Sequence, residues 1–90
     1  MNTQKKITII GAGSIGTALG NVLSLSPDLN VNLLSIESDV VSDISTLHIN
    51  QKYFPNIRLN PSLIATSDPK VLRGSEIIFI GIPSTAVIPY

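Results

Sequence analysis

The sequence predicts an α/β fold, an incomplete doubly wound parallel sheet built as βαβαβαβ with spatial strand order 3-2-1-4. Three observations predict it. Short apolar, β-branched runs alternate with segments of helical periodicity along the 90 residues. The first such run leads straight into three glycines spaced GxGxxG, at Gly11, Gly13 and Gly16, and a helical pattern follows at once. No internal repeat or low-complexity tract interrupts the alternation, which implies right-handed crossovers between parallel strands.

The elements follow in order. Residues 7–10 (ITII) suit a strand buried on both faces. From Ile15 the apolar positions are Ile15, Ala18, Leu19, Val22 and Leu23, a helix with one stripe toward the sheet. Ser26-Pro27-Asp28 ends it, because proline disfavours the helical region before it. Residues 31–36 read as a second strand. Ser38 and Asp39 are N-cap candidates for a helix whose stripe is Val40, Val41, Ile44 and Leu47. Residues 50–61, with Pro55, Pro61 and three asparagines, read as loop. Residues 63–66 form a short third strand, and Asp68-Pro69 opens a short helix that closes near Gly74. Residues 76–82 (EIIFIGI) supply the fourth strand, and Pro83 stops it.

Composition removes several function classes. At 43% hydrophobic and 13% charged residues, the chain is not a disordered one. A formal net charge of zero with scattered lysines and arginines leaves no electrostatic footprint for nucleic acid. Without cysteine there is no disulfide framework or thiolate metal site, and with His48 alone no histidine metal centre is expected. The uncharged stretch 7–27 after Lys5 and Lys6 superficially resembles a signal segment or a membrane span. Gly11, Gly13, Gly16, Gly20 and Asn21 break its apolar centre, so a cytoplasmic protein with no membrane span is expected.

A glycine run between a strand and a helix is the fingerprint of a Rossmann-type dinucleotide-binding unit. Gly11 permits the tight turn, Gly13 lets a diphosphate approach the backbone, and Gly16 lets the helix pack closely on the strand. The diphosphate then meets the unpaired amides and positive dipole end of the helix, and the Ser14 hydroxyl is a candidate additional donor. The bland alternative is a glycine turn serving backbone geometry alone. The fingerprint also expects an acid about 20 residues on, to accept from the adenosine ribose. Glu37, at the end of the second strand, is that candidate; the alternative for it is a solvated loop acid or a capping residue. A carboxylate there favours NAD over NADP, since two like charges 4 Å apart cost about 1 kcal/mol in water and about 4 kcal/mol at an effective dielectric of 20. Arg58, distant in sequence, offers no relief. The expected cofactor-binding set is Gly11, Ala12, Gly13, Ser14, Ile15, Gly16, Ile36, Glu37 and Pro83, with no catalytic residue and no metal ligand in the chain.

The stretch HINQKYFPNIRLNPSLIATSD, residues 48–68, carries a more specific pattern. His48, Asn50, Tyr53, Phe54, Pro55, Ile57, Arg58, Leu59, Ala65, Thr66 and Asp68 resemble a segment of the NAD-dependent glycerol-3-phosphate dehydrogenases. That family shows a His, an Asn, Tyr-Leu-Pro-Gly-Ile, a basic residue and Leu, then Ala-Thr-x-Asp. GSEIIFIGIPS resembles the family's fourth strand and its Val-Pro-Ser turn. Ile15 stands where the family has a large aromatic residue, and Ile36 where it often has an aromatic or basic one. The resemblance implies reversible hydride transfer between NADH and dihydroxyacetone phosphate, giving sn-glycerol 3-phosphate for phospholipid synthesis. It places the catalytic lysine and the phosphate-binding residues beyond residue 90, and Lys5, Lys6, Lys52 and Lys70 do not match that lysine's motif. His48 reads as a structural or solvated residue, and Tyr53-Phe54-Pro55 as loop packing that lines the cleft.

The fourth strand is apolar throughout except at Gly81, the pattern of a strand covered on both faces. The strand order nevertheless puts it at a sheet edge, where an apolar strand templates association. Residues 1–90 are therefore expected to be the N-terminal part of a dinucleotide-binding domain, without its catalytic domain, and edge pairing into a homodimer is an open outcome. Two alternatives remain open. One is a ketopantoate-reductase-like NADP enzyme, echoed by Ser14-Ile15-Gly16; the other is a non-catalytic dinucleotide-binding module.

Overall fold

Residues 4–81 are described by a computed structural model of the chain. The order of elements is β1 (Lys5–Ile10), α1 (Ser14–Ser24), β2 (Leu29–Leu34), α2 (Ser38–Leu47), β3 (Ile64–Thr66), a 3-10 turn (Pro69–Leu72) and β4 (Ile77–Ile80). The four strands make one parallel sheet in the order β3-β2-β1-β4, so the predicted fold class and strand order hold. The last crossover is a single 3-10 turn rather than an α-helix, capped by Asp68 accepting from the Lys70 amide.

Side chains alternate across each strand, so the register decides the faces. Ile9 pairs with Leu33 and Leu33 with Ala65, which puts them on one face. They form the core with Val31, Val40, Ile44, Leu59 and Leu63, so both α-helices cover that side. Each fully buried Leu or Ile contributes about 1.5–3 kcal/mol of transfer free energy. On the other face Thr8, fully buried, shares a hydrogen bond with the Ser75 hydroxyl at 2.7 Å, and Asn32 donates to the Ile7 carbonyl.

α1 corrects the predicted stripe. Its buried positions are Gly16, Thr17, Gly20 and Ser24, with Leu19 and Leu23 packed alongside, whereas Ile15 and Val22 are exposed. The helix lies too close to the sheet for larger groups. A Cβ on Gly20 would stand 3.1 Å from Leu33 Cδ2 and 3.3 Å from Ile9 Cδ1. In α2 the predicted Val40 and Ile44 are buried and Val41 packs on the core, but Leu47 is half exposed at the helix end.

Boundaries also move: β1 and β2 each begin two residues earlier than expected, at Lys5 and Leu29, and β3 and β4 one residue later, at Ile64 and Ile77. β2 stops at Leu34, because the Ser35 hydroxyl accepts from the Glu37 amide and bends the chain out of the sheet. Ile36 is consequently outside the strand. Glu37, not Ser38 or Asp39, is the N-cap residue of α2; Ser38 and Asp39 stand in its first turn. β4 pairs with β1 alone, and its four side chains are exposed among the described residues. The predicted end of that strand at Ile82 and the stop at Pro83 lie outside the described residues.

Candidate dinucleotide-binding site

The chain runs from β1 to β2 to β3 on one side of the sheet and then returns to β4 on the other side of β1. Strand order thus reverses between β1 and β4, and ligands of open α/β sheets bind outside the carboxyl ends of the strands at such a point. A cleft of about 630 Å³ lies there, within the usual range for ligand sites. It is lined by the Gly11–Ile15 turn, the ends of β1, β2 and β4, Ile36, Glu37 and Tyr53.

The three glycines have separable geometries. Gly11, held to β2 by its amide on the Leu34 carbonyl, has φ +102°, which an L side chain rarely adopts. At Gly16 a Cβ would collide with the Gly11 carbonyl oxygen, so helix and strand meet backbone to backbone. Gly13 differs from both. Its φ of −73° and ψ of −169° suit any residue, and a Cβ there meets nothing within 4 Å. The fold does not require glycine at 13; the space above it is what a side chain would fill. Gly16 lies under the turn rather than in the cleft wall.

Gly13 is also the N-cap of α1, whose first amides have no intrahelical partners. No side chain caps this end and no acid stands in its first turn. The positive dipole end therefore faces the cleft uncompensated, a ready site for an anion. The Ser14 hydroxyl is engaged elsewhere, donating to the Tyr53 carbonyl at 2.7 Å.

That bond belongs to a set of contacts between the glycine turn and the loop after α2. Asn50, fully buried, donates through Nδ2 to the Ala12 carbonyl and the Thr17 hydroxyl, each at 2.8 Å. Its Oδ1 accepts from the Tyr53 amide. Tyr53 then presents its hydroxyl to Glu37 Oε1 at 2.9 Å, and Lys52 Nζ donates to the same oxygen at 2.5 Å. The Lys52 ammonium, with the Tyr53 hydroxyl adding to it, holds the Glu37 carboxyl below its ordinary 4.5. Glu37 in turn raises the lysine. Both bonds end on Oε1, so Oε2 has no protein donor among the described residues. Ile36 and Ile15 are 97% and 77% exposed while lining the cleft, apolar surface beside a polar floor.

Residues 6–89 match the family described as NAD-dependent glycerol-3-phosphate dehydrogenase N-terminus. The chain belongs to that family. It is 38% identical over 86 residues to a glycerol-3-phosphate dehydrogenase [NAD(P)+] of Mesoplasma florum, covering 94% of this chain and 25% of that protein. The enzyme of the same name from Bacillus subtilis is 36% identical over 85 residues, covering 93% and 24%. Among solved structures, the glycerol-3-phosphate dehydrogenase of Coxiella burnetii superposes with a TM-score of 0.76 at 40% identity, over 86% of this chain and 24% of that one. The chain thus spans about a quarter of the length of the relatives it matches.

Of the nine positions expected to hold the cofactor, seven line the cleft together, Gly16 supports it from beneath, and Pro83 lies outside the described residues. Ile36 reaches the cleft as a residue beyond the strand. Lys52 and Asn50 were not readable as site residues. Lys52 follows Glu37 by 15 positions across a helix and carries no periodic signal. Asn50 is one of the positions that carry the family resemblance, but its full burial against the glycine turn is visible only in three dimensions. His48 takes the left-handed C-cap of α2 at φ +55°, its amide on the Ile44 carbonyl and its own carbonyl accepting from Leu59.

Proposed function

We propose that this chain is the NAD-binding portion of an oxidoreductase that transfers hydride between NAD(H) and dihydroxyacetone phosphate or sn-glycerol 3-phosphate. The observation that carries the cofactor reading is the open space above Gly13 at an uncapped helix end. A diphosphate would rest on the amides opening α1, the adenine ring would lie against Ile36, and the ribose hydroxyls would donate to Glu37 Oε2. That Glu37 is held ionised supports acceptance of ribose hydroxyls, and its charge supports NAD ahead of NADP.

Bound there, the nicotinamide supplies a hydride donor or acceptor. The residues of this chain orient the cofactor, and the first-turn amides and the helix dipole stabilise its diphosphate. The substrates are those of the relatives' named reaction, and a cytoplasmic setting and the role in phospholipid synthesis belong to the same proposal.

Calorimetric titration of the chain with NAD tests the cofactor reading, with Gly13→Val as the comparison. Binding by the parent chain and a loss of tenfold or more in the variant, with melting unchanged, is expected, because valine fills the space without straining the backbone. Equal affinity of the two would remove the diphosphate from this turn. Purified protein carrying this segment is expected to oxidise NADH when dihydroxyacetone phosphate is added.

A further inference from the structure

The adenosine end of the cleft has a cation that the sequence did not reveal. Lys52 Nζ sits on Glu37 Oε1 and 5.3 Å from the centre of the Tyr53 ring. Both charged side chains are partly open to solvent, Lys52 at 49% and Glu37 at 31%. We propose that Lys52 is a specificity-determining residue for the 2′ position of the adenosine ribose, which lets the cleft take a 2′-phosphorylated dinucleotide as a weaker second ligand. This rests on the dinucleotide reading above and adds to it how the site treats NADP.

The chemistry follows from the asymmetry of the carboxylate. With a 2′-hydroxyl, Lys52 stays on Oε1 and the ribose uses the free Oε2. A 2′-phosphate carries nearly two negative charges and is repelled by Glu37. Lys52 is a compact charge on a flexible four-carbon stem, bonded to the cleft-lining Glu37 and not buried. It turns from Oε1 to the phosphate and offsets that repulsion. The Tyr53 hydroxyl remains on Glu37 as the lysine leaves. Glu37 therefore sets the preference for NAD, and Lys52 sets how steep that preference is.

Affinities for NAD and NADP, measured by calorimetry on the full chain, provide the test. Lys52→Met is expected to widen the NAD-to-NADP affinity ratio by about fivefold, the worth of one ion pair at 4 Å in water. Glu37→Gln is expected to narrow the ratio or invert it, and adding Lys52→Met to that variant is expected to cancel the gain in NADP affinity. Lys70→Met, on the 3-10 turn and away from the cleft, serves as the control and leaves both affinities as they are. A second readout is salt dependence: salt screens both the Glu37 repulsion and the Lys52 contact, so the ratio is expected to narrow with salt more steeply in Lys52→Met, where the repulsion stands alone, than in the parent chain.

Equal losses for both dinucleotides in Lys52→Met, an unchanged ratio, or the same salt dependence of the ratio in the parent and in Lys52→Met would each overturn the proposal and leave Lys52 as a loop anchor. Failure of the parent chain to bind either dinucleotide is a separate result. It overturns the dinucleotide reading and this proposal with it.

Discussion

At the residue scale, position 13 is where fold and ligand requirements part. Gly11 and Gly16 are demanded by the chain itself, the first by a positive φ and the second by a backbone contact. Gly13 is not, so Gly13→Ala should hold or raise thermal stability, by up to about 1 kcal/mol through the unfolded chain, while weakening NAD. A thermal melt beside a titration separates the two effects. His48 offers the opposite case. It pays left-handed strain at the end of α2, so His48→Gly should stabilise the chain by about 0.5–1 kcal/mol in urea denaturation. A loss of stability would show that its ring holds something the backbone does not.

Glu37 gives the pH dependence. Its carboxyl lies below the ordinary 4.5 because Lys52 and then Tyr53 donate to it. The stability and the ribose contact that it contributes are therefore present above 4.5 and are lost as pH falls through its folded-state value, further down. The stability contribution is small, since the pair is open to solvent and screened by it. NAD affinity followed from pH 7 downward should fall with a midpoint below 4.5. A fall centred near pH 6 would point to a different titrating group.

At the element scale, α1 shows what helical periodicity misses. The apolar pattern marked Ile15, Ala18, Leu19, Val22 and Leu23 as the inward stripe. Hydrophobicity cannot register a contact made by small residues, and the face that meets the sheet is Gly16, Thr17, Gly20 and Ser24. Gly20→Ala should therefore destabilise, although alanine is the better helix former by about 1 kcal/mol. The added methyl would press on Leu33, Leu63 and Ile9. A rise in melting temperature would show that the core gives way. Ile44→Ala in α2 removes a fully buried side chain and should cost about 2–5 kcal/mol. α2 itself was legible because its buried positions are large and apolar, and its N-cap slipped by one residue because Glu37 holds that position through its extended backbone with no side-chain capping bond, which leaves no capping signal in the sequence.

For the whole molecule, strand order was readable because alternation with right-handed crossovers and the position of the glycine run leave few topologies. The cleft was half readable. Its phosphate end is local in sequence, one turn between β1 and α1. Its ribose end is assembled by the loop after α2, where Asn50 ties Tyr53 to the glycine turn and Lys52 meets Glu37. No spacing rule predicts that closure. The outer strand β4 exposes Ile77, Ile78, Phe79 and Ile80 among the described residues, and no helix among them is long and apolar enough to cross a membrane. An exposed apolar edge of this kind favours pairing, so size-exclusion chromatography of the 90-residue chain should show concentration-dependent self-association. A monomer at all concentrations would show that the edge is shielded.

The most direct test of the central claim is the amide spectrum of the nitrogen-15-labelled chain during an NAD titration. The expected result is saturable shifts at Gly13, Ser14, Ile15 and Gly16, with a second group at Ile36 and Glu37. Saturable binding that leaves the Gly13–Gly16 amides unmoved would contradict a diphosphate seated at the opening of α1.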